Sequence, residues 1–168
     1  MNRSWVVRVV EGWAIAGGFF TLAIVLVTST NIVLFAFDRI ARIFGGVVSG
    51  LPGYEDFVSL TVSCAALMFI PLCQLRRGHI AVDVFTERLS KRSQHRLDRI
   101  WSATMGLMAL FLAFWMFQGM AESRADNALS PVIGWPIWPF YIPGVLSLLL
   151  WALVAAFQVV ERPADGRS

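Results

Sequence analysis

Charge is scarce in this chain. Only 15% of its 168 residues are charged while 57% are hydrophobic, against about 25% and about 45–50% in an ordinary soluble domain. Too few charges are available to coat a globule of this length, which excludes a conventional water-soluble fold and points to lipid as the solvent. Histidine is equally sparse: His79 and His95 both lie outside the apolar runs. A membrane cytochrome needs imidazoles that project from its spans, so haem is excluded, and no cysteine partners the two histidines in a recognisable zinc spacing. Cys64 and Cys73 share one apolar run, match no ligand or redox spacing, and read as small apolar helix residues. No cofactor is expected. No Pro- or Gly/Ser-rich linker, internal repeat or low-complexity segment divides the chain, so residues 1–168 read as a single domain.

What the chain has instead is four apolar runs: Trp13–Phe37, Phe57–Leu75, Ile100–Ala121 and Ile137–Val160. Each is near the roughly 17–25 residues that a helix needs to cross a ~30 Å hydrocarbon layer. None contains Lys, Arg, Asp, Glu or His. Backbone groups in lipid must satisfy one another within the segment, so the expected fold is all-α integral membrane, with four transmembrane helices. The first run is too long for a signal peptide, and no small-residue cleavage site follows it, so it reads as a retained helix.

The formal net charge is +3, but the positive charge lies mainly in one connection, Arg76 to Arg99. That is better explained by orientation in an anionic membrane than by nucleic acid, and no nucleic-acid partner is expected. With four spans, eleven of the fourteen basic residues fall on one side. Both termini are therefore expected to be cytoplasmic. Trp5, Trp13 and Trp101 then sit near cytoplasmic helix ends, and Trp135, Trp138 and Tyr141 where the fourth helix enters from outside, as interfacial aromatic rings prefer. Glu55 and Asp56 open the second helix, where carboxylates complement the positive end of the dipole.

Two connections carry amphipathic patterns, expected as short interfacial helices. Ile40, Ile43, Phe44 and Val47 beside Arg39 and Arg42 suggest an extension of the first helix along the outer surface. The stretch from Asp83 to His95 sets Val84, Phe85 and Leu89 against Glu87, Arg88, Lys91 and Arg92, a pattern open to two readings: an interfacial helix or a solvated connection.

An ion pathway or membrane enzyme normally places ionisable groups within the bilayer, and these spans hold none, so no catalytic residue is expected. Their polar side chains are hydroxyls and amides, including Asn31, Gln118 and Gln158, the usual hydrogen bonders between helices. Asn31, late in the first helix, is the candidate for a bond to another subunit. Gly12 with Ala16, Ala14 with Gly18, Ser102 with Gly106 and Ala109 with Ala113 form small-residue pairs that permit close helix approach, within the bundle or to a partner. Pro71 and Pro143 are expected to bend the second and fourth helices.

The most specific stretch follows the second span: Leu75-Arg76-Arg77-Gly78-His79-Ile80-Ala81-Val82-Asp83. Arginines mark a cytoplasmic exit, Gly78 permits the left-handed turn that ends a helix, and Asp83 suits the cap of the next one. A well-made helix corner and a specific partner contact both fit this pattern, and the two are compatible. The stretch resembles the signature of the small permease subunit of tripartite ATP-independent periplasmic (TRAP) transporters, the DctQ-like family, through Arg77, Gly78, His79, Ile80, Val82 and Asp83. The resemblance runs over essentially the whole chain: Asn31 late in helix one, Glu55 opening helix two, and Pro136, Trp138 and Pro143 beginning helix four. The segment from Asp38 to Gly53, with Gly45-Gly46 and Leu51-Pro52-Gly53, departs from that pattern.

The resemblance implies a non-catalytic subunit in the bacterial inner membrane. Its implied partners are a large permease subunit, which carries the substrate and sodium sites, and, transiently, a periplasmic substrate-binding protein. The implied cargo is an organic acid taken up by sodium symport. Other classes compatible with four apolar helices are the small subunit of a tripartite tricarboxylate transporter, disfavoured by the His79-to-Asp83 motif, and an oxidoreductase anchor, disfavoured by the lack of helix-borne histidines. An unrelated assembly protein is a third.

Overall fold

The computed structural model describes residues 3–76 and 91–160. Four helices in it are long and apolar enough to cross a membrane, and the protein is a multi-pass membrane protein. Helix α1 spans Arg3–Ile43, α2 Tyr54–Leu75 and α3 Lys91–Ala125. A 3-10 turn, Trp138–Phe140, leads into α4, Tyr141–Val160. The described residues contain no strand beyond an isolated bridge, Leu129 with Pro136.

Two helices, α1 and α3, far outrun the expected spans. At ~1.5 Å per residue, the 41 residues of α1 reach roughly 60 Å, about twice the hydrocarbon thickness. No proline interrupts α1, and the chain turns only at Gly45, whose φ of 79° is left-handed. Of the expected extension past Phe37, Ile40 and Ile43 are the unbroken end of the same helix, while Phe44 and Val47 lie beyond it. Lys91 to His95, expected within a separate interfacial helix, form the first turns of α3, because nothing between them and the apolar run breaks a helix. Residues 83–90, the rest of that expected helix, lie outside the described residues. Pro143, expected to bend the fourth helix from within, stands in the first turn of α4, where a missing N–H leaves no bond broken. Pro71 is buried inside α2.

In cross-section the order is α1–α2–α4–α3: α2 and α4 are central neighbours, α1 packs on α2, and α3 packs on α4. Lipid tails are as apolar as leucine, so no hydrophobic gain draws such helices together; close contact and buried polar bonds must hold them. At Gly17 a Cβ atom would stand 2.9 Å from the Met68 Cβ, and at Gly106 3.2 Å from the Ala155 Cβ. Ala109 and Ala113 are buried beside Leu148, Trp151 and Ala152. The small-residue ladder of the third helix therefore serves the chain's own α3–α4 seam. On α1 Ala14 is buried, but Gly12 and Gly18 meet open space, and the close approach falls at Gly17.

A second cluster, Val6, Val10 and Val154 with Leu72 and Phe157, joins the start of α1 to the ends of α2 and α4. Trp13 donates its indole N–H to Ser147 Oγ at 2.9 Å, tying α1 to α4. Between α2 and α4, Gln74 Nε2 donates to Gln158 Oε1 and Gln158 Nε2 to the Gln74 carbonyl, both at 2.7 Å. Trp151 Nε1 donates to Gln74 Oε1. Arg76 faces Glu11 at 3.9 Å, with both side chains well exposed, a pair that contributes little to stability.

These contacts generate one expectation. Gly17→Leu should push α1 from α2 and destabilise the bundle by about 1–3 kcal/mol, the usual cost of overpacking. Gly12→Ala, in open space, should not lower the midpoint and should raise it slightly, as alanine favours the helix more than glycine does. Thermal unfolding in mild detergent, followed by far-ultraviolet circular dichroism, reads both, and equal midpoints for wild type and Gly17→Leu would remove Gly17 from the seam.

Candidate functional site: pinned loops at one end of the bundle

At the end of the bundle where α1 and α3 finish, both connections are fastened by side-chain oxygens. After Ile43 the chain folds back along the helix it has just left. Gly46 N–H donates to the Ala41 carbonyl at 2.8 Å, Val48 N–H to Asp38 Oδ1 at 2.9 Å and Leu51 N–H to Asn31 Oδ1 at 2.9 Å. Asp38 also pairs with Arg42, one turn on. At Gly50 a Cβ would stand 2.9 Å from Asn31 Oδ1, so the return strand needs a glycine there to lie this close. Residues 44–53 thus form a strap on the last turns of α1.

The α3–α4 connection is built as a small hairpin. Helix α3 closes with the Ala128 N–H on the Ser123 carbonyl and the Asn127 N–H on the Arg124 carbonyl. Asn127 has φ 48°, and this pair of bonds around a left-handed residue is a Schellman closure, for which Asn substitutes for Gly. Ser130 N–H then reaches the Trp135 carbonyl, Ile137 N–H the Ala128 carbonyl, and Trp135 N–H the Ser130 hydroxyl. Trp135 stacks on Phe140 with ring centroids 6.4 Å apart, and the Arg124 guanidinium lies 5.1 Å above the Trp138 ring.

Asp56 joins the two connections. From the first turn of α2 its Oδ2 accepts the N–H groups of Val132 and Ile133 at 2.8 and 2.9 Å, and the residue is 8% exposed. Ile133 also packs against Gly53, the N-cap of α2 with φ 76°. A side chain at Gly53 would meet both the left-handed backbone and Ile133. Hydrogen bonds to a charged acceptor are stronger than neutral ones, and this carboxylate is the one that ties the start of α2 to the hairpin.

The residues expected from sequence fall unevenly. Asn31 lies within this end, but its carbonyl oxygen holds the strap, and at 2% exposure it faces the chain's own fold. Glu55 is exposed and accepts the Tyr54 hydroxyl at 3.1 Å; the inward position belongs to Asp56, one residue on. Adjacent helix residues point about 100° apart, so only one of the pair faces the hairpin. Arg77, Gly78, His79, Ile80, Val82 and Asp83 lie outside the described residues. Gln74, unremarked in the sequence, forms the amide clamp with Gln158; Gln118, expected as a helix–helix hydrogen bonder, is exposed on α3. Among the described residues no three His, Cys, Asp or Glu side chains are grouped to hold a metal ion. The arrangement fixes backbone and displays two ordered loops.

Four spanning helices with pinned connections define a small multi-pass membrane protein. The family model for the DctQ component of the tripartite ATP-independent periplasmic transporters matches residues 32–164, so the chain belongs to that family of transporter components. No curated protein and no solved structure matches it.

Asp56→Ala should free the Val132 and Ile133 amides. Their hydrogen exchange should accelerate by about tenfold or more, the equivalent of one hydrogen bond to a charged acceptor, while Glu55→Gln leaves it unaltered. Unchanged protection in Asp56→Ala would show that the hairpin holds its shape without the carboxylate.

Proposed function

We propose that this chain is the non-catalytic small subunit of a TRAP transporter, acting as a scaffold for the large permease. The observation that carries the reading is the family match over residues 32–164, together with four apolar helices of spanning length. The large permease supplies the substrate and sodium sites, and an organic acid reaches it from a periplasmic binding protein. The charge distribution supports an orientation in the inner membrane with both termini cytoplasmic. In that orientation the strap and hairpin face the periplasm, and a backbone already ordered by Asp56, Asn31 and Asp38 loses little entropy when a partner docks against it. Arg77, His79 and Asp83 then mark the cytoplasmic corner between the second and third helices, where they brace the fold, touch the permease, or both.

The test is a mild-detergent pull-down of the tagged chain from its native membrane. The expected result is a large multi-helix permease recovered at a fixed ratio. Asp83→Ala should lower that recovery or the stability of the complex without altering which acid is transported. Recovery of the chain alone, or with a redox enzyme, would end the subunit reading, and altered selectivity with normal assembly would end the scaffold role.

A further inference from the structure

At the last turns of α3, beside the pinned hairpin, there is an open groove of about 500 Å³. Its floor is apolar, formed by Phe117, Met120, Ala121 and Ile142, and its rim is Arg124 with Trp138. Arg124 is the one charged residue that lines it. Of the nearby carboxylates, Glu122 stands two positions before Arg124, roughly 200° around the helix, and Asp126 lies past the end of α3; neither lines the groove. The cation is also held in place, because its guanidinium lies 5.1 Å over the Trp138 ring.

The depth of the groove along the helix matters as much as its lining. The uncharged run of α3 ends at Ala121, and Glu122, Arg124 and Asp126 follow at once. The floor therefore lies at hydrocarbon depth and the rim at headgroup depth, where an indole ring is also favoured. A site that sets one cation above a strip of apolar surface matches a molecule with one anionic group joined to a hydrocarbon chain. A planar guanidinium pairs with phosphate oxygens through two N–H donors.

We propose that this groove holds one glycerophospholipid of the adjacent leaflet, its phosphodiester against Arg124 and an acyl chain along Phe117, Met120, Ala121 and Ile142. Free phosphate would leave the apolar floor empty, and a lipid without phosphate would leave the arginine unanswered. The inference depends on the bilayer alone and stands apart from the transporter assignment.

The test uses the full-length chain in mild detergent, titrated with dioleoylphosphatidylglycerol and read by native mass spectrometry. Dioleoylglycerol and inorganic phosphate serve as the comparison probes. One phospholipid should be retained per chain, with neither comparison probe matching it. Arg124→Gln should weaken retention about fivefold, the usual effect of one basic residue at an anionic surface, and Arg124→Lys should weaken it less. Ala121→Phe, which fills the floor and leaves the cation, should weaken it independently, so the test survives if either variant folds poorly. Equal retention in wild type, Arg124→Gln and Ala121→Phe would overturn the proposal, as would equal retention of dioleoylglycerol. So would a polypeptide crosslinked to Ala121→Cys in place of lipid.

Discussion

Helices in lipid gain nothing by hiding apolar side chains from one another, because the solvent is as apolar as they are. Every contact between these four helices must therefore come from close approach or from a buried polar bond. The structure shows both. Gly17 lets α1 close on Met68 of α2, and Gly106, Ala109 and Ala113 let α3 close on α4. Gln74 and Gln158 exchange hydrogen bonds between α2 and α4, and Trp13 reaches Ser147 across α1 and α4. The order α1–α2–α4–α3 follows from where these small and polar residues lie, and it leaves large apolar side chains such as Phe19, Leu107 and Phe111 on the outside. In a bilayer those surfaces need no cover.

The loops obey the opposite rule. At the ends of the helices backbone N–H groups that do not bond one another require acceptors, and short polar side chains provide them, Ser130 within the hairpin among them. Asp38 and Asn31 hold the strap along α1, and Asp56 holds the hairpin between α3 and α4. Because Asp56 and Gly53 belong to the start of α2 and both engage the hairpin, the two connections at this end form one ordered surface.

The spans were legible because twenty or so uncharged residues have one stable arrangement in lipid: three of the expected runs lie wholly inside helices, and the fourth begins one residue before its 3-10 turn. Their limits were not. The stretch before Ile100 has no breaker back to Lys91, and the one beyond Phe37 stays helical to Ile43, short of Gly45-Gly46, so both helices run through the membrane boundary that hydropathy marks. The loop residues were half legible. Asn31 and the acidic start of α2 stood out as polar groups at span ends, but the choice between Glu55 and Asp56 depends on the rotation of α2 against the hairpin. The Arg77-to-Asp83 motif, which pointed to the family, lies outside the described residues.

By itself the sequence determined the class of fold, the number of spans and the kinship, because hydropathy is a sum over local residues and a motif is a local string. The tertiary structure decided the order of the helices, the partner of each small residue, and the roles of Asp56, Asn31 and Gln74. Those depend on which residues meet at separations of up to 134 positions, and no local pattern encodes a distance of that kind.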